Sequence, residues 1–405
     1  MAHHDQQDAA RSVRVISALS EIDRAEWDSC ANPPGTPYNP FVSWDFLHAL
    51  EEAECVSAGT GWLPQHLVLD GSRDKDRPGI AGVMPCYLKS HSQGEYVFDH
   101  GWADAFEAAG GRYYPKLQAS VPFTPVTGPR LMVRAGADRQ ADQRYLGTAL
   151  AELARRHKVS SAHVTFARDD EWRILSELGY LRRTDQQFHW IDQGYGDFEG
   201  FLASLASRKR KAIRKERREA LASGLEITWI TGADITQAHW DAFFGFYMDT
   251  GSRKWGRPYL NRRFFSLLGE RLSERVLLIM AHRHGRPVAG ALNLIGSDTL
   301  YGRYWGCSED HPCLHFEVCY YQAIEFALAS GLARVEAGAQ GAHKLARGYM
   351  PVTTFSAHYI AEAGFRRAVE DYLKRERQHV AFENEVLAQQ GPFRKSDGLD
   401  RESVT

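Results

Sequence analysis

The chain runs through the same order of elements twice, roughly 200 residues apart, and this duplication limits the possible folds more than any other sequence feature. Each half reads as helix, helix, strand hairpin, helix and strand. A period of this size is typical of a duplicated domain rather than of a solenoid. We therefore expect an α/β (α+β) protein with two mixed sheets, each flanked by helices. The matching segments are the helices around Trp27 and Trp240, the hairpins at 66–88 and 276–295, and the helix–strand units at 145–167 and 320–339.

The composition agrees with a two-domain protein and excludes several function classes. The 405 residues are 43% hydrophobic, and the formal net charge is only -2, so any contact with nucleic acid must come from a local basic patch. The six cysteines form no CxxC pair, which favours reduced thiols in a cytoplasmic protein. The first residues contain no signal-peptide core, and the longest apolar run, 276–281, is too short to span a bilayer. We expect a soluble cytoplasmic protein without membrane insertion.

Polar and aromatic side chains are unusually dense in residues 303–358. The apolar spacing predicts a helix over 316–330, a short strand over 333–337 and then a glycine-rich loop. Hydrogen-bonding side chains on such a connection after a strand indicate a site rather than a scaffold. The candidates in this stretch are His315, Glu317, Tyr320, Tyr321, Glu336, Gln340, His343, Lys344, Arg347 and His358.

Residues 198–223 are predicted to form one long helix with a basic centre. Between positions 208 and 218 it carries eight basic residues and one acidic residue, Glu216. Helical geometry spreads such a run around the cylinder, so local pairing cannot neutralise it. One interpretation is a phosphate-binding track for tRNA or a nucleotide-linked precursor, and the other is a solvated helix that joins two domains. The candidate phosphate contacts are Arg208, Lys209, Arg210, Lys211 and Arg214.

The first half contains an aromatic and glycine-rich segment, 99–130, which is predicted to be irregular. Loops of this length are often functional. We expect its side chains to line a cleft that faces the second half, the alternative being a packed cover for the first sheet. A smaller cluster that includes Arg253 is a further candidate for substrate contact. The candidate cleft residues are Asp99, His100, Trp102, Tyr113, Tyr114, Lys116 and Arg130.

Several stretches give the chain a resemblance to a known family. They are SLASRKRKAIRKERREALASGLEI, FYMDTGSRKWGRPYLNRRFFSLL, LHFEVCYYQAIEFAL with EAGAQGAHKLARGYMP, and FDHGWADAFEAAGGRYYPKLQASVPFTPVTGPRL. Over roughly residues 11–393 the sequence resembles the Fem-like (FemAB-type) branch known as peptidoglycan biosynthesis/recognition. Fem-type enzymes have two acetyltransferase (GNAT) domains in tandem and transfer amino acids from aminoacyl-tRNA to peptidoglycan precursors. The resemblance implies GNAT-like domains at 11–195 and 226–393, a basic linking helix at 196–225 and a disordered tail at 394–405.

The resemblance also implies transfer of an acyl or aminoacyl group to an amine acceptor bound between the two domains. This reaction needs a base for the ammonium proton and donors for the developing oxyanion. The candidate bases are Glu317, Glu336, His315 and His343, with the two glutamates preferred. The candidate substrate-binding residues are Lys344, Arg347, Gln340, Tyr320, Trp102, Tyr114, Lys116, Arg130, Arg253 and Arg303. A structural ion pair such as Glu336 with Arg347 stays open, whereas no metal site is predicted because no HExxH-like spacing is present.

No certain cofactor is predicted, and the acyl donor stays open between aminoacyl-tRNA and acetyl-CoA. Acetyl-CoA enzymes of this fold use an [RQ]xxGx[GA] motif at a helix start, where backbone N–H groups cradle the pyrophosphate. Residues 144–149 match this loose motif directly before a predicted helix, and residues 303–308 depart from it by one position. The alternatives to a Fem-like aminoacyltransferase are therefore an acetyl-CoA-dependent N-acetyltransferase and a non-catalytic binding protein for a cell-wall precursor or tRNA.

Overall fold

The computed structural model describes residues 11–71, 79–136, 138–254, 258–338 and 341–394, apart from the side chains of residues 252–254 and 342. The predictions for residues 1–10 and for the tail beyond residue 394 lie outside these residues. The strands are β1 (Val13–Ile16), β2 (Trp62–Pro64), β3 (His66–Asp70), β4 (Ile80–Met84), β5 (Tyr87–Lys89), β6 (Lys116–Ala119), β7 (Met132–Val133), β8 (Ser161–Ala167), β9 (Leu181–Ile191), β10 (Leu225–Thr231), β11 (Val276–Arg283), β12 (Arg286–Ile295), β13 (Thr299–Cys307), β14 (Arg334–Glu336) and β15 (Met350–Ile360).

The helices pack on both sheets and alternate with the strands along the chain. A π-helical turn, Glu317–Tyr321, joins α10 to α11. The helices are α1 (Arg24–Ala31), α2 (Trp44–Glu52), α3 (His100–Ala108), α4 (Arg139–His157), α5 (Asp169–Glu177), α6 (Phe198–Ser204), α7 (Ser207–Leu221), α8 (Gln237–Lys254), α9 (Arg262–Leu272), α10 (Leu314–Phe316), α11 (Gln322–Ala329) and α12 (Ala363–Gln389).

The two halves repeat the same order of elements, as the sequence predicts. Trp27 on α1 and Trp240 on α8 are both buried, with 0% and 3% of their surfaces exposed. The hairpins β3–β4 and β11–β12 are both antiparallel and occupy the same place in each half. The buried tryptophans and hairpins occupy equivalent places in two repeated units, and the apolar residues of the units pack into a shared core that includes both Trp27 and Trp240.

The sheets do not divide between the halves in the expected way. A sheet of four strands has the order β1-β3-β4-β7, and a sheet of eleven strands has the order β10-β11-β12-β13-β14-β9-β15-β8-β6-β5-β2. In the large sheet β9 of the first half pairs with β14 of the second, and β15 inserts between β9 and β8. Because β14 has only three residues and Val335 is fully buried, pairing with β9 satisfies backbone groups that would otherwise lie unpaired in the interior. One continuous sheet thus joins the two halves.

The predicted linking helix is interrupted, so the expectation of one helix over 198–223 is wrong. Leu205 has an extended backbone and forms an isolated β-bridge with Phe393 near the end of the described chain. The amide of Ala206 donates to the carbonyl oxygen of Pro392 at 2.9 Å. These contacts end α6 and start α7, which carries the whole basic run and is anchored by buried Ile213 and Ala220.

The segment 99–130 is not irregular throughout, in contrast to the prediction. It contains α3 and β6, and β6 lies inside the large sheet between β5 and β8. All four residues of β6 are buried. The alternative interpretation, a packed cover over the sheet of the first half, therefore describes this segment better than an open cleft.

Candidate functional site

A tight turn of 3-10 helix, Ala342–Arg347, places three of the predicted site residues beside the basic helix α7. Gly341 and Gly348 flank the turn with positive φ angles of 111° and 91°, which side chains with a Cβ rarely adopt. A Cβ on Gly348 would lie 2.7 Å from the Phe201 ring of α6. The glycines therefore let the chain cross from β14, on one side of β9, to β15, on the other side, while it packs closely on the linking segment.

A cleft of about 370 Å³ separates this turn from α7, and we call it the basic cleft. Arg347 forms part of its wall: one guanidinium nitrogen, Nη2, donates to both carboxylate oxygens of Glu216 at 2.9 and 3.0 Å. The other, Nη1, donates to the carbonyl oxygen of His343 at 2.8 Å. The residues that line the basic cleft are Arg208, Lys209, Ala212, Ile213, Glu216, Tyr321, Ala346 and Arg347.

The positive charge of the basic cleft is only partly neutralised. Among the described residues that line it, Glu216 is the only acid, and its carboxylate is already held by Arg347 and by the Tyr321 hydroxyl. Within the described residues, Arg208 and Lys209 make no ion pair, whereas Arg214 on the outer face pairs with Glu199. The exposed face of α7 continues the positive surface. The arrangement favours an anionic group such as a phosphate or a carboxylate.

A second cleft, of about 260 Å³, lies where β13 ends and α10 begins, and we call it the acidic–aromatic cleft. The guanidinium carbon of Arg347, in the wall of the basic cleft, lies 3.4 Å from the ring centre of Phe316, in the wall of the second. The Arg347–Phe316 stack therefore divides two neighbouring clefts. The residues that line the acidic–aromatic cleft are Trp305, Cys307, Glu309, Asp310, His311, Pro312, Cys313, Leu314, His315 and Phe316.

His343 is the exposed titratable group at this division. Its Nε2 lies 2.9 Å from the hydroxyl oxygen of buried Tyr320. Its ring centre is 5.9 Å from that of Phe316 and 6.4 Å from that of His315. Partial burial, together with the positive charges of Lys344 and Arg347, lowers the pKa of His343 below its ordinary value of 6.5. The imidazole is therefore neutral near neutral pH and can accept a proton.

The structure contradicts the preferred assignment of Glu317 and Glu336 as bases. Glu317 is fully buried and its carboxylate accepts hydrogen bonds from Arg217 at 2.8 Å and from Gln322 at 2.7 Å. Glu336 is 2% exposed and accepts from Arg303 at 3.1 Å and from Thr127 at 2.7 Å. Carboxylates that are buried and held in this way by guanidinium groups are structural ion pairs.

Two predicted substrate anchors in the same stretch are also committed to internal contacts. Buried Lys344 donates from Nζ to the carbonyl oxygens of Ala337 and Gly338, at 2.8 and 3.0 Å, and burial lowers the pKa of its ammonium group to about 8. Arg303 donates to Glu336 and, across the two halves, to the Thr124 hydroxyl at 2.7 Å. Neither side chain reaches either cleft. The side chain of Arg253 and the whole of Gln340 lie outside the described residues.

The candidates of the first half lie in a buried network instead of the predicted cleft between the halves. Lys116 is fully buried and donates to Glu95 at 2.7 Å and to Asp99. Arg130 is equally buried and donates to carbonyl oxygens of its own loop and of β8. Trp102 is 7% exposed and Tyr114 donates to or accepts from Ser92 at 2.8 Å. The expectation of a cleft here is wrong because their partners come from elements that the sequence alone does not bring together.

The segment predicted to be a pyrophosphate-binding loop, 144–149, is part of a helix in the structure. The helix α4 begins at Arg139, so Arg144 and Gly147 lie inside it rather than before it. Gly147 packs on the end of α5, since a Cβ there would lie 3.2 Å from Leu175 of that helix and 2.7 Å from Leu178, which follows it. Interior N–H groups of a helix are already bonded to carbonyl oxygens and cannot cradle a phosphate. The second segment, 303–308, belongs largely to β13, so the acetyl-CoA motif has no support at either position.

The sequence matches the model of one protein family over nearly its whole length. This family, FemAB-like, comprises proteins of peptidoglycan biosynthesis/recognition, and the match covers residues 18–395. The chain belongs to the FemAB-like family. No curated protein matches the FemAB-like chain in sequence.

Solved structures show the fold of this FemAB-like chain. FemX is similar at 12% sequence identity, covers 86% of this chain and 98% of its own, and gives a TM-score of 0.52. A conserved protein of unknown function from Bacteroides thetaiotaomicron VPI-5482 is similar at 14% sequence identity. The similarity covers 87% of this chain and 100% of that protein, with a TM-score of 0.50. A tandem GNAT protein from the clavulanic acid biosynthesis pathway is similar at 13% identity over 87% of this chain and 99% of its own, with a TM-score of 0.45. The predicted α/β fold with two tandem halves is confirmed by its similarity to the fold of FemX.

Two further observations concern the FemAB-like chain as far as the structure describes it. None of its helices there combines the length and the apolarity needed to cross a membrane. In the same residues, no three His, Cys, Asp or Glu side chains come together as a set of metal ligands.

The sequence analysis did not identify Asp310, nor the role of Glu216 in holding Arg347. The signal that points to Glu216 is that it is the single acid within a basic run.

Proposed function

We propose that the protein is an acyltransferase that moves an aminoacyl group from aminoacyl-tRNA to a primary amine of a peptidoglycan-type precursor. The observation that carries the proposal is the placement of a neutral, exposed imidazole, His343, on the same short turn as Arg347, which lines the basic cleft. Membership of the family of peptidoglycan biosynthesis/recognition supports this substrate class. The three-way choice left open by the sequence thus falls on the Fem-like reaction.

The positive charge of α7 favours aminoacyl-tRNA over acetyl-CoA as the donor substrate. The exposed basic side chains of the helix form a continuous positive face beside the cleft, and its cleft-lining Arg208 and Lys209 make no ion pair in the described structure. Phosphates spaced along a nucleic acid strand suit such a face better than the single pyrophosphate of a coenzyme. The exposed basic residues are Arg208, Lys211, Arg214, Lys215 and Arg218.

The proposed chemistry assigns the proton transfer to His343. In the tautomer that donates from Nε2 to the Tyr320 hydroxyl oxygen, Nδ1 keeps a lone pair. The acceptor ammonium first loses one proton to become a nucleophile. As its nitrogen bonds to the ester carbonyl carbon, Nδ1 accepts a second proton and returns it to the ribose oxygen when the C–O bond breaks. One amide and one free ribose hydroxyl are formed, with a net release of one proton.

Incubation of the protein with tRNA charged with a radiolabelled amino acid and with a UDP-linked muramyl peptide tests the proposal. We expect label to appear in a base-stable, amide-linked product. Labelled acetyl-CoA, supplied in parallel, is expected to leave the peptide unlabelled. Binding of tRNA with a steep salt dependence but no amide product would show instead a non-catalytic binding protein.

The double variant Arg208→Ala/Lys209→Ala is expected to weaken tRNA binding and to flatten its salt dependence. Each phosphate contact that is lost lowers the slope of log K against log salt concentration by about 1. Filter binding across a salt series measures the slope. The matched control is Lys374→Ala/Arg375→Ala, which removes two exposed cations from α12 and is expected to keep the wild-type slope. Equal slopes for the wild type and both double variants would show that tRNA does not contact Arg208 and Lys209.

A further inference from the structure

The acidic–aromatic cleft has a chemical character opposite to that of its neighbour. Its charged lining residues are Glu309 and Asp310, and its walls include the rings of Trp305 and Phe316. No arginine or lysine is among the described residues that line it. A ligand that enters it therefore meets carboxylates and aromatic faces, whereas a ligand in the basic cleft meets cations.

The start of the helix at this cleft is not a phosphate cradle. The Leu314 amide donates to the carbonyl oxygen of His311 at 3.2 Å, and the amides of Phe316 and Glu317 donate to that of Cys313 at 3.0 Å. Pro312 has no N–H to offer. With these donors occupied and two carboxylates in the lining, the cleft disfavours an anion.

The two acids of the cleft differ in how far they are neutralised. Glu309 is held by Arg283 at 2.7 Å and lies 3.0 Å from Nε2 of His311. Asp310 is exposed and makes no hydrogen bond or ion pair within the described part of the chain. Its carboxylate is therefore available to a cation that also contacts the half-buried indole of Trp305.

We propose that the acidic–aromatic cleft binds the primary ammonium group of the acceptor, together with an apolar stem, through Asp310 and Trp305. This inference rests on the proposed function, since it assigns the acceptor amine to this cleft and the aminoacyl-tRNA to the basic cleft. His315 and Phe316 line this cleft, and their ring centres lie 6.4 and 5.9 Å from that of His343. An amine seated there is next to the division of the clefts, where the proposed base lies.

Thiols in the wall of the cleft allow a local test that needs no turnover. Cys307 and Cys313 line the cleft, whereas Cys319, also half-buried, does not. Alkylation of each cysteine by iodoacetamide is followed by mass spectrometry in the presence of pentylamine or, as a neutral analogue, pentan-1-ol. Saturation-transfer NMR of the same two probes, with the wild type and with Asp310→Asn, gives a second readout that does not depend on thiol reactivity.

We expect pentylamine, but not pentan-1-ol, to slow alkylation of the cleft cysteines and leave Cys319 unchanged. Asp310→Asn is expected to raise the amine concentration for half-protection by about tenfold, because one charge contact beside an aromatic face is lost. The matched control Asp104→Asn changes an exposed acid on α3 and is expected to behave as wild type. Equal protection by the alcohol, or unchanged affinity in Asp310→Asn, overturns the inference. These outcomes are independent of aminoacyl transfer, which is measured separately.

Discussion

The variant His343→Ala is expected to transfer the aminoacyl group about 10²–10⁴-fold more slowly than the wild type, the range typical for removal of a general base. Its affinity for tRNA is expected to be unchanged, since the imidazole does not line the basic cleft. Single-turnover transfer from labelled aminoacyl-tRNA measures the rate, and filter binding measures the affinity. The matched control is His379→Ala, an exposed histidine on α12. A wild-type rate in His343→Ala would remove the assigned role.

The pH dependence gives a second readout of the same role. A base acts only in its neutral form, and the pKa of His343 lies below its ordinary value of 6.5. The transfer rate is therefore expected to be high at pH 7 and to fall on acidification through this lowered pKa. The variant is expected to lose the part of this fall that titrates at the pKa of His343, whereas the dependence that comes from deprotonation of the acceptor ammonium remains in both proteins. Identical acidic profiles for the wild type and His343→Ala would assign the titration to another group.

The variant Glu336→Ala is expected to lower the free energy of unfolding by about 3–5 kcal/mol, the range for breaking a buried ion pair at one partner. The loss leaves Arg303, whose side chain is only 2% exposed, without its carboxylate. It also removes the hydrogen bond from Thr127, which ties the second half to the first. Urea unfolding measures the change.

Two variants make this result specific to the buried pair. Glu107→Ala removes an exposed acid on α3 and is expected to change the free energy of unfolding by no more than about 0.5 kcal/mol. The double variant Arg303→Met/Glu336→Leu removes both charges and is expected to be less damaging than Glu336→Ala alone. If Glu336→Ala unfolds at the same urea midpoint as the wild type, the ion pair between Glu336 and Arg303 does not contribute to stability.

The pKa of Glu336 adds a pH signature to its stability. Burial alone would raise this pKa, but the charges of His189 and Arg303 and the hydrogen bonds from Thr127 and Arg303 outweigh it and lower the pKa below 4.5. A carboxyl group whose pKa is lowered in the folded state stabilises the protein at pH values above the ordinary pKa of the group. This stabilisation is lost as the pH falls through the pKa of the folded state. The difference between wild type and Glu336→Gln is therefore expected at pH 7 and to shrink below about pH 4.5.

Local patterns predicted the repeating elements because each depends on residues close in sequence. The helices around Trp27 and Trp240 and the two hairpins follow from apolar spacing and turn residues, and their order was enough to predict the tandem fold. The insertion of β15 between β8 and β9 depends on pairing across more than one hundred residues, for instance His358 with His163, and no local pattern encodes that pairing. The break at Leu205 similarly depends on its distant partner Phe393.

The site was predicted at the level of the segment but not of individual roles. The density of polar residues in 303–358 pointed to the turn that carries His343 and Arg347, and the basic run pointed to the facing helix. Which acids were free and which were paired could not be read from spacing, because Glu317 is neutralised by Arg217 from another helix. Asp310 was not predicted as a site residue for the same reason. Whether a carboxylate is paired or unpaired can be judged only when the side chains around it are known.

The decisive measurement is the chemical form of the label after the protein meets charged tRNA and a muramyl peptide. Transfer by the wild type is expected to give an amide that survives mild base, and Arg208→Ala/Lys209→Ala and His343→Ala are expected to reduce its yield through binding and through rate, respectively. If all of the label stays on tRNA or appears only as free amino acid with the wild type, the two clefts beside His343 do not serve aminoacyl transfer.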